Sequence, residues 1–423
     1  MSCTRLREGY FQRQKRQQEN MEGISNGIQS TLSLFPGTDD KVYQEQLAER
    51  LLNSGCVKEC TIDFSPPFAL YTKKIYPTLS KPLLSFFQVN NSLKKVTICN
   101  TGSSNLRECL AAISSNRSIT KIVVDTISSF NLKTIEEAWG LLATNKYIKG
   151  LAVSGSSNMA IWMLLQQLSD SSCQSPLESL SISYIDGGSL DAEKLQSLPV
   201  KCGRTPSIRT PSIRTPSKLK NLFIEGLNEP SRLEMISFCL LHNTRLQTLT
   251  LKICRFQGEP LSVFSQALED MHFLKSIELD GVSIGKGEDD KSMRAWTTMV
   301  KKPTLQILCL RRLGEDEMQG VVGALTGGEF FEELILDQCD LSEGPLESIL
   351  NIYICDTSSK RKLYFSGSPS PLTLNKLIMS LRHPACHLRE LSLELDLIGD
   401  EGDAMVSDLL RALNDNKSLY YIN

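Results

Sequence analysis

Histidine and cysteine are the side chains most able to do chemistry near neutral pH. The four histidines are His242, His272, His383 and His387. The last two flank a thiol in His383-Pro-Ala-Cys386-His387, the one His/Cys cluster in the chain. A metal there would need further ligands converging tetrahedrally, and no fourth ligand stands nearby. A nucleophilic cysteine would need a lowered pKa and a partner base. The thirteen cysteines contain no Cys-x-x-Cys pair, and several fall inside apolar patterns. Gly281 to Gly287 is glycine-rich and carries Lys286. Asp280 stands where a phosphate loop needs its first glycine, and Gly287 where it needs Ser or Thr. The chain is therefore expected to hold no metal or cofactor and not to be an enzyme.

Other polar groups could serve recognition or regulation. Arg204-Thr-Pro-Ser-Ile, Arg209-Thr-Pro-Ser-Ile and Arg214-Thr-Pro-Ser-Lys are tandem pentapeptides. Thr205, Thr210 and Thr215 each precede a proline, and a phosphate on them would oppose nearby arginine charge and could order the segment. The competing reading is a low-complexity loop with no role.

The elements that must position any site come from a repeated pattern. Leu246-Gln-Thr-Leu-Thr-Leu251 returns as Leu274-Lys-Ser-Ile-Glu-Leu279, a shift of 28 residues. Copies occur at 57, 93, 119, 148, 177, 219, 305, 331, 360 and 388, and a truncated one at 419. From 93 onward the spacing is 26 to 31 residues, apart from one gap of 42 that holds the pentapeptides. Alternating apolar residues predict a short strand, and apolar residues at helical spacing follow. Leu106, Leu110 and Ile113 make one such helical face. Phe264, Ala267, Leu268 and Met271 make another, and Leu374, Leu377, Ile378 and Leu381 a third. Asn91, Asn116, Asn145, Asn243 and Asn416 stand just before strands, where Asn in the left-handed conformation would end the helices.

One strand and one helix cannot bury their leucines alone, whereas stacked copies can. Parallel strands would line an inner wall and helices an outer one. A helix is wider than the spacing between strands, so the array should curve into a horseshoe. The expected fold class is thus α/β, a leucine-rich-repeat solenoid with strands on the concave face and helices on the convex face. The expected organisation is a basic N-terminal arm over 1–38, partly disordered or capping, then a repeat domain over 39–423. That domain would hold about 12–13 repeats and a loop insertion near 199–217. A helix over 39–52 would cap the first repeat.

The Leu-x-x-Leu-x-Leu-x-x-Cys of Leu246 to Cys254, the Leu334 to Cys339 stretch and the 28–29 residue period resemble the ribonuclease-inhibitor-like class of leucine-rich repeats. Leu381 to Leu393 is similar to repeats of ribonuclease inhibitor and NOD-like receptors. The resemblance spans roughly 57–423 and implies a protein-binding role. That family includes protein inhibitors, innate sensors, GTPase activators and bacterial effectors. With no nucleotide-binding domain read ahead of the repeats and Ser-Leu-Tyr-Tyr-Ile-Asn in place of an acidic tail, neither a complete NOD-like receptor nor a usual GTPase activator is expected. Its degenerate repeats and pentapeptides would suit a bacterial effector.

Composition sets the outer bounds. The 423 residues are 41% hydrophobic and 22% charged, with a net charge of -2. Near-neutral charge argues against nucleic acid or membrane as partner. No apolar run reaches the ~20 residues of a membrane span. An odd cysteine count and no secretory signal predict a cytoplasmic protein, or one acting in host cytoplasm if it is an effector.

Residues between the strand leucines should face the concave wall. In the second half these include Glu278, Asp280, Glu333, Asp337, Glu390 and Glu394, with Arg311 among them. Phe223, Ile307, Ile335 and Tyr364 would be apolar anchors. The expected function is a monomeric protein-protein interaction module whose C-terminal half binds a basic or mixed-charge protein. The alternative is a regulator of an enzyme, as GTPase activator or ubiquitin-machinery adaptor.

Overall fold

The computed structural model describes residues 31–34, 57–64, 81–129, 131–156, 158–169, 175–183, 218–227, 230–241, 243–256, 259–284, 293, 296–297, 300–325, 331–339, 348–349, 361–367, 371–384, 386, 388–395, 400–419 and 421–422. The chain divides into two compact units, 1–219 and 220–423. The border falls just after the segment read as an insertion. The expected capping helix over 39–52 and the pentapeptides lie outside the described residues.

The first unit has strands β1 (Thr31–Leu34), β2 (Glu59–Asp63), β3 (Lys95–Gly102), β4 (Lys121–Ser129), β5 (Gly150–Ser154) and β6 (Ser179–Ser183). They pair in chain order, all parallel. Between them run helices α1 (Lys81–Val89), α2 (Ser103–Ser114), α3 (Leu132–Thr144) and α4 (Asn158–Ser169). β1 lies within the segment read as a basic arm, and it continues the sheet beyond β2.

The second unit has β7 (Asn221–Glu225), β8 (Thr248–Lys252), β9 (Arg255–Phe256), β10 (Ser276–Asp280), β11 (Ser283–Ile284), β12 (Ile307–Arg311), β13 (Glu333–Asp337), β14 (Arg361–Gly367), β15 (Leu388–Leu395) and β16 (Tyr421–Ile422). Its described helices are α5 (Pro230–Leu241), α6 (Glu259–Glu269), α7 (Glu315–Leu325), α8 (Pro371–Arg382) and α9 (Asp400–Asp415). The main sheet runs β7-β8-β10-β12-β13-β14-β15-β16, all parallel. β9 and β11 form a separate parallel pair beyond the ends of β8 and β10. A parallel ladder in register at the repeat period, with helices between its rungs, makes each unit an α/β leucine-rich-repeat solenoid.

The pattern residues form the core. Leu246, Leu249 and Leu251 are fully buried, as are Leu274, Ile277 and Leu279. On the helices, Leu106, Leu110 and Ile113 are buried, and so are Phe264, Ala267, Leu268 and Met271. Alternation along the strands leaves the intervening residues half-buried on the opposite face.

The chain leaves the sheet through a recurrent left-handed residue, the second after the last core position of the strand. Asn100, Thr126, Gly155, Gly226, Ile253, Gly281, Arg312, Gln338 and Gly367 all have positive φ and all occupy this place. The N–H of Ile253 donates to Asp280 O at 2.7 Å, and that of Arg312 to Asp337 O at 2.9 Å. The turn thus adds one more rung to the ladder while steering the backbone toward the helix layer. Glycine suits such a conformation, but a β-branched residue pays for it sterically.

The asparagines before the strands stand at the helix ends as expected, with Asn145 the C-cap of α3, but not in the left-handed conformation expected of them. None has positive φ. Their backbone N–H groups bond back to the helix, as Asn145 does to Leu142 O at 3.1 Å, and their side chains make the further contacts. Asn116 Oδ1 accepts from the N–H groups of Ser118 and Ile119, at 2.7 and 3.3 Å. Its Nδ2 donates to Phe87 O and Asn90 O of the preceding repeat, both at 2.8 Å. Asn145 and Asn416 do the same toward Ser114 O and Leu381 O. At the first copy the residue is Asn90, whose Oδ1 accepts from Ser92 and Leu93, while its neighbour Asn91 is exposed. Asn243 keeps the position but donates within its own repeat, to Cys239 O. The physical reason is polar satisfaction: carbonyls at a buried helix end need donors, and Asn carries donor and acceptor on one short side chain. Lys302 occupies the equivalent place three residues before Leu305, and its buried ammonium donates to Leu268 O and Glu269 O at the end of α6.

Candidate functional site

Within each unit, the face of the sheet turned away from the helices presents polar residues in register. In the second unit each strand of the ladder offers three outward positions, forming rows that cross the sheet. The middle row reads Phe223, Thr250, Glu278, Cys309, Ile335, Tyr364 and Ser392 on successive strands. Cys309, Ile335 and Tyr364 are therefore immediate neighbours, and Ile307 lies beside Glu333 in the row above. These residues form one apolar patch. Phe223 is not part of it. Three strand intervals separate it from Cys309, roughly 14 Å.

Charged residues surround the patch and are largely paired with one another. Arg311 reaches Glu278 at 3.4 Å and Asp337 at 3.5 Å. Arg312, in the turn that follows, binds Asp280 at 2.6 Å. Lys362 pairs with Glu390 at 2.8 Å. Lys252 reaches Glu225 at 3.7 Å. The Tyr364 hydroxyl donates to Glu394 at 2.9 Å, and this bond holds the phenol in its protonated form, raising its pKa. Ser366 donates to Asp337 at 2.8 Å. The sequence suggested a largely acidic field here. The ladder builds a charge mosaic, because acids and bases one repeat apart sit one strand spacing apart and pair. Cys309, absent from the anchors expected from sequence, sits at the centre of the patch. Its thiol is buried and its pKa raised by that burial, against the pull of Arg311.

The first unit's wall differs. Lys95 and Lys121 are direct cross-strand partners, and Lys95 pairs with Glu59 at 2.8 Å. Further along, Gly150, Ala152 and Ser154 face Ser179, Ser181 and Ser183. Ser154 donates to Asp125 at 2.7 Å.

Seven of the eight described thiols have pKa values raised by burial and so offer little nucleophilicity. Burial pushes Cys60 and Cys109 strongly upward, and Cys239 and Cys254 up to about 12. Burial raises Cys99 to about 11, with the Asp125 and Asp63 charges adding to it. A protonated thiol is a poor nucleophile and a poor ligand. Cys386 is buried on the turn into β15, with its N–H donating to His383 O at 2.9 Å, while the His383 side chain is exposed. His387 lies outside the described residues, as do Thr205, Thr210 and Thr215. Among the described residues no helix is long and apolar enough to cross a membrane.

Fold and wall together define the class: a leucine-rich-repeat solenoid that displays a ladder of polar and apolar side chains on its strand face. No family model matches the sequence, and no curated protein matches it. Among solved structures the chain is similar to TLR13 in the crystal structure of the TLR13–ssRNA13 complex. That likeness has 14% identity and a TM-score of 0.41, and covers 93% of this chain and 54% of the other. It is also similar to a chain in the crystal structure of the Rad7–Elc1 complex of yeast, at 14% identity and a TM-score of 0.37. That match covers 92% of this chain and 88% of the other. The chain thus spans about half the length of the TLR13 chain. The fold assignment rests on the strand ladder and the repeat period, and these distant likenesses add nothing to it.

Proposed function

We propose that this chain is a protein-interaction module of the ribonuclease-inhibitor-like type, and that the strand wall of its second unit is the binding face. The observation that carries this reading is the patch of Ile307, Cys309, Ile335 and Tyr364 ringed by Arg311, Glu333, Asp337 and Glu394. An apolar centre within a charged rim is the usual anatomy of a protein-binding hot spot. Paired rim charges favour a partner of mixed charge over a purely basic one, because its charges must be accommodated within existing ion pairs. The raised thiol pKa values speak against these cysteines as nucleophiles.

The test begins with affinity capture from cytosol and identification of what is retained. Capture is then repeated with Ile335→Asp and with Tyr364→Ala. Each substitution is expected to weaken retention of the principal partner by about tenfold or more, equivalent to about 1.4 kcal/mol. Undiminished capture by both variants, with their thermal stability unchanged, would move the binding face elsewhere.

A further inference from the structure

Among the described residues, the first unit carries a run of lysines on adjacent rungs that the equivalent edge of the second unit does not repeat. Along the edge where its strands begin, successive backbone hydrogen bonds set Lys58, Lys94, Thr120, Lys149 and Glu178 side by side. Lys94 N–H donates to Lys58 O at 2.7 Å, Thr120 to Lys94 O at 3.0 Å, and Lys149 to Thr120 O at 2.8 Å. Directly beneath, Glu59, Lys95, Lys121 and Gly150 form the next row. Five lysines thus occupy two rows across β2 to β5. Glu59 neutralises Lys95. Lys58, Lys94, Lys121 and Lys149 are exposed, with no carboxylate partner among the described residues. The Lys121 stem lies over Gly150, where an added Cβ would meet its Cγ at 3.5 Å. Like charges on adjacent rungs repel and cost stability. The equivalent edge of the second unit avoids the problem by alternation, with Lys220, Gln247, Lys275, Gln306 and Glu332 in sequence along the ladder.

We infer that this lysine grid is a docking surface for an extended Asp/Glu-rich segment of a partner protein. The grid spans three strand intervals, roughly 14 Å, which an extended peptide crosses in about four or five residues. Carboxylates along such a peptide would meet the exposed ammonium groups of the edge row, Lys58, Lys94 and Lys149, with the long Lys121 side chain at the start of β4 beside them. A single-stranded nucleic acid would use aromatic platforms for its bases, and the residues behind the grid are Thr61, Thr97, Val123 and Ala152. A membrane surface would add exposed apolar anchors, and none of the exposed large apolar residues among those described lies on the grid.

The experiment is fluorescence anisotropy with a labelled oligoglutamate peptide and the full chain at low salt. Binding is expected, and Lys94→Glu with Lys121→Glu should weaken it by about tenfold or more. The paired glutamine substitutions should weaken it less, and Lys275→Glu on the second unit should leave it unchanged. All variants should melt within a degree or two of the parent, since the changes are confined to exposed side chains. The inference is overturned if the peptide does not bind, or if Lys275→Glu costs as much as the double reversal. Tighter binding of single-stranded oligothymidylate or of phosphatidylserine vesicles would also overturn it.

Discussion

Side chains in the turns after the strands show how much local strain the array tolerates. Nine equivalent residues adopt positive φ, and four of them are glycine. Thr126 and Ile253 are β-branched, with φ of 58° and 49°, in a conformation that costs L-residues about 1–2 kcal/mol. Ile253 is 46% exposed, so its side chain gives up little burial when removed. Ile253→Asn keeps a residue that tolerates the left-handed region and relieves the branched Cβ. It is expected to raise stability by about 0.5–1 kcal/mol, read as a higher urea midpoint at unchanged slope. The reverse change at an equivalent place, Gly281→Ile, should lower the midpoint by a similar amount or more, since Gly281 has φ of 59°.

Elements are joined to their neighbours by the buried asparagines, and a neighbouring pair supplies an internal control. Asn90 is 6% exposed and accepts from Ser92 and Leu93, whereas Asn91 is exposed. Asn90→Ala is expected to cost about 2–3 kcal/mol and Asn91→Ala less than about 0.5 kcal/mol, both by chemical unfolding. Lys302→Met removes the donor to the end of α6 and should cost about 1–3 kcal/mol. The strands were legible in the sequence because their core positions recur at a period of two and point into one layer. β1 was not, because Leu32 and Leu34 are preceded by Gln29 where the motif has a leucine. The asparagine positions were visible and their role was not, because inter-repeat donation depends on how one repeat stacks on the last. The turn signal was half-hidden for a similar reason: Gly155, Gly226 and Gly281 announce it, while Ile253, Arg312 and Gln338 conceal it. At the candidate site the outward residues could be listed from alternation alone. Which acid Arg311 would hold, and that Phe223 stands apart from Ile335 and Tyr364, required the register of the ladder.

Across the molecule the buried thiols make stability depend on alkaline pH, and both units contain them. Cys60, Cys99 and Cys109 lie in the first unit, and Cys239, Cys254 and Cys339 in the second. In the folded chain their pKa values stand above the ordinary thiol value of 9.0, to about 11 for Cys99 and Cys339 and about 12 for Cys239 and Cys254, chiefly through burial. The unfolded chain then binds fewer protons than the folded chain between pH 9 and those values, so stability falls as pH rises through that window. Each such thiol costs about 1.4 kcal/mol per pH unit there. Lys302 acts in the opposite direction, because burial lowers its pKa and its contribution grows as pH approaches 10.5. One lysine opposes several thiols, and the thiols dominate. The unfolding midpoint in urea should therefore be level from pH 7 to pH 8 and drop steeply by pH 10. Cys254→Ala should flatten that drop even though it lowers the midpoint at pH 7 through the small cavity it leaves. A midpoint unchanged between pH 8 and pH 10 would mean that the thiols titrate as freely in the folded chain as in the unfolded one, contrary to their burial.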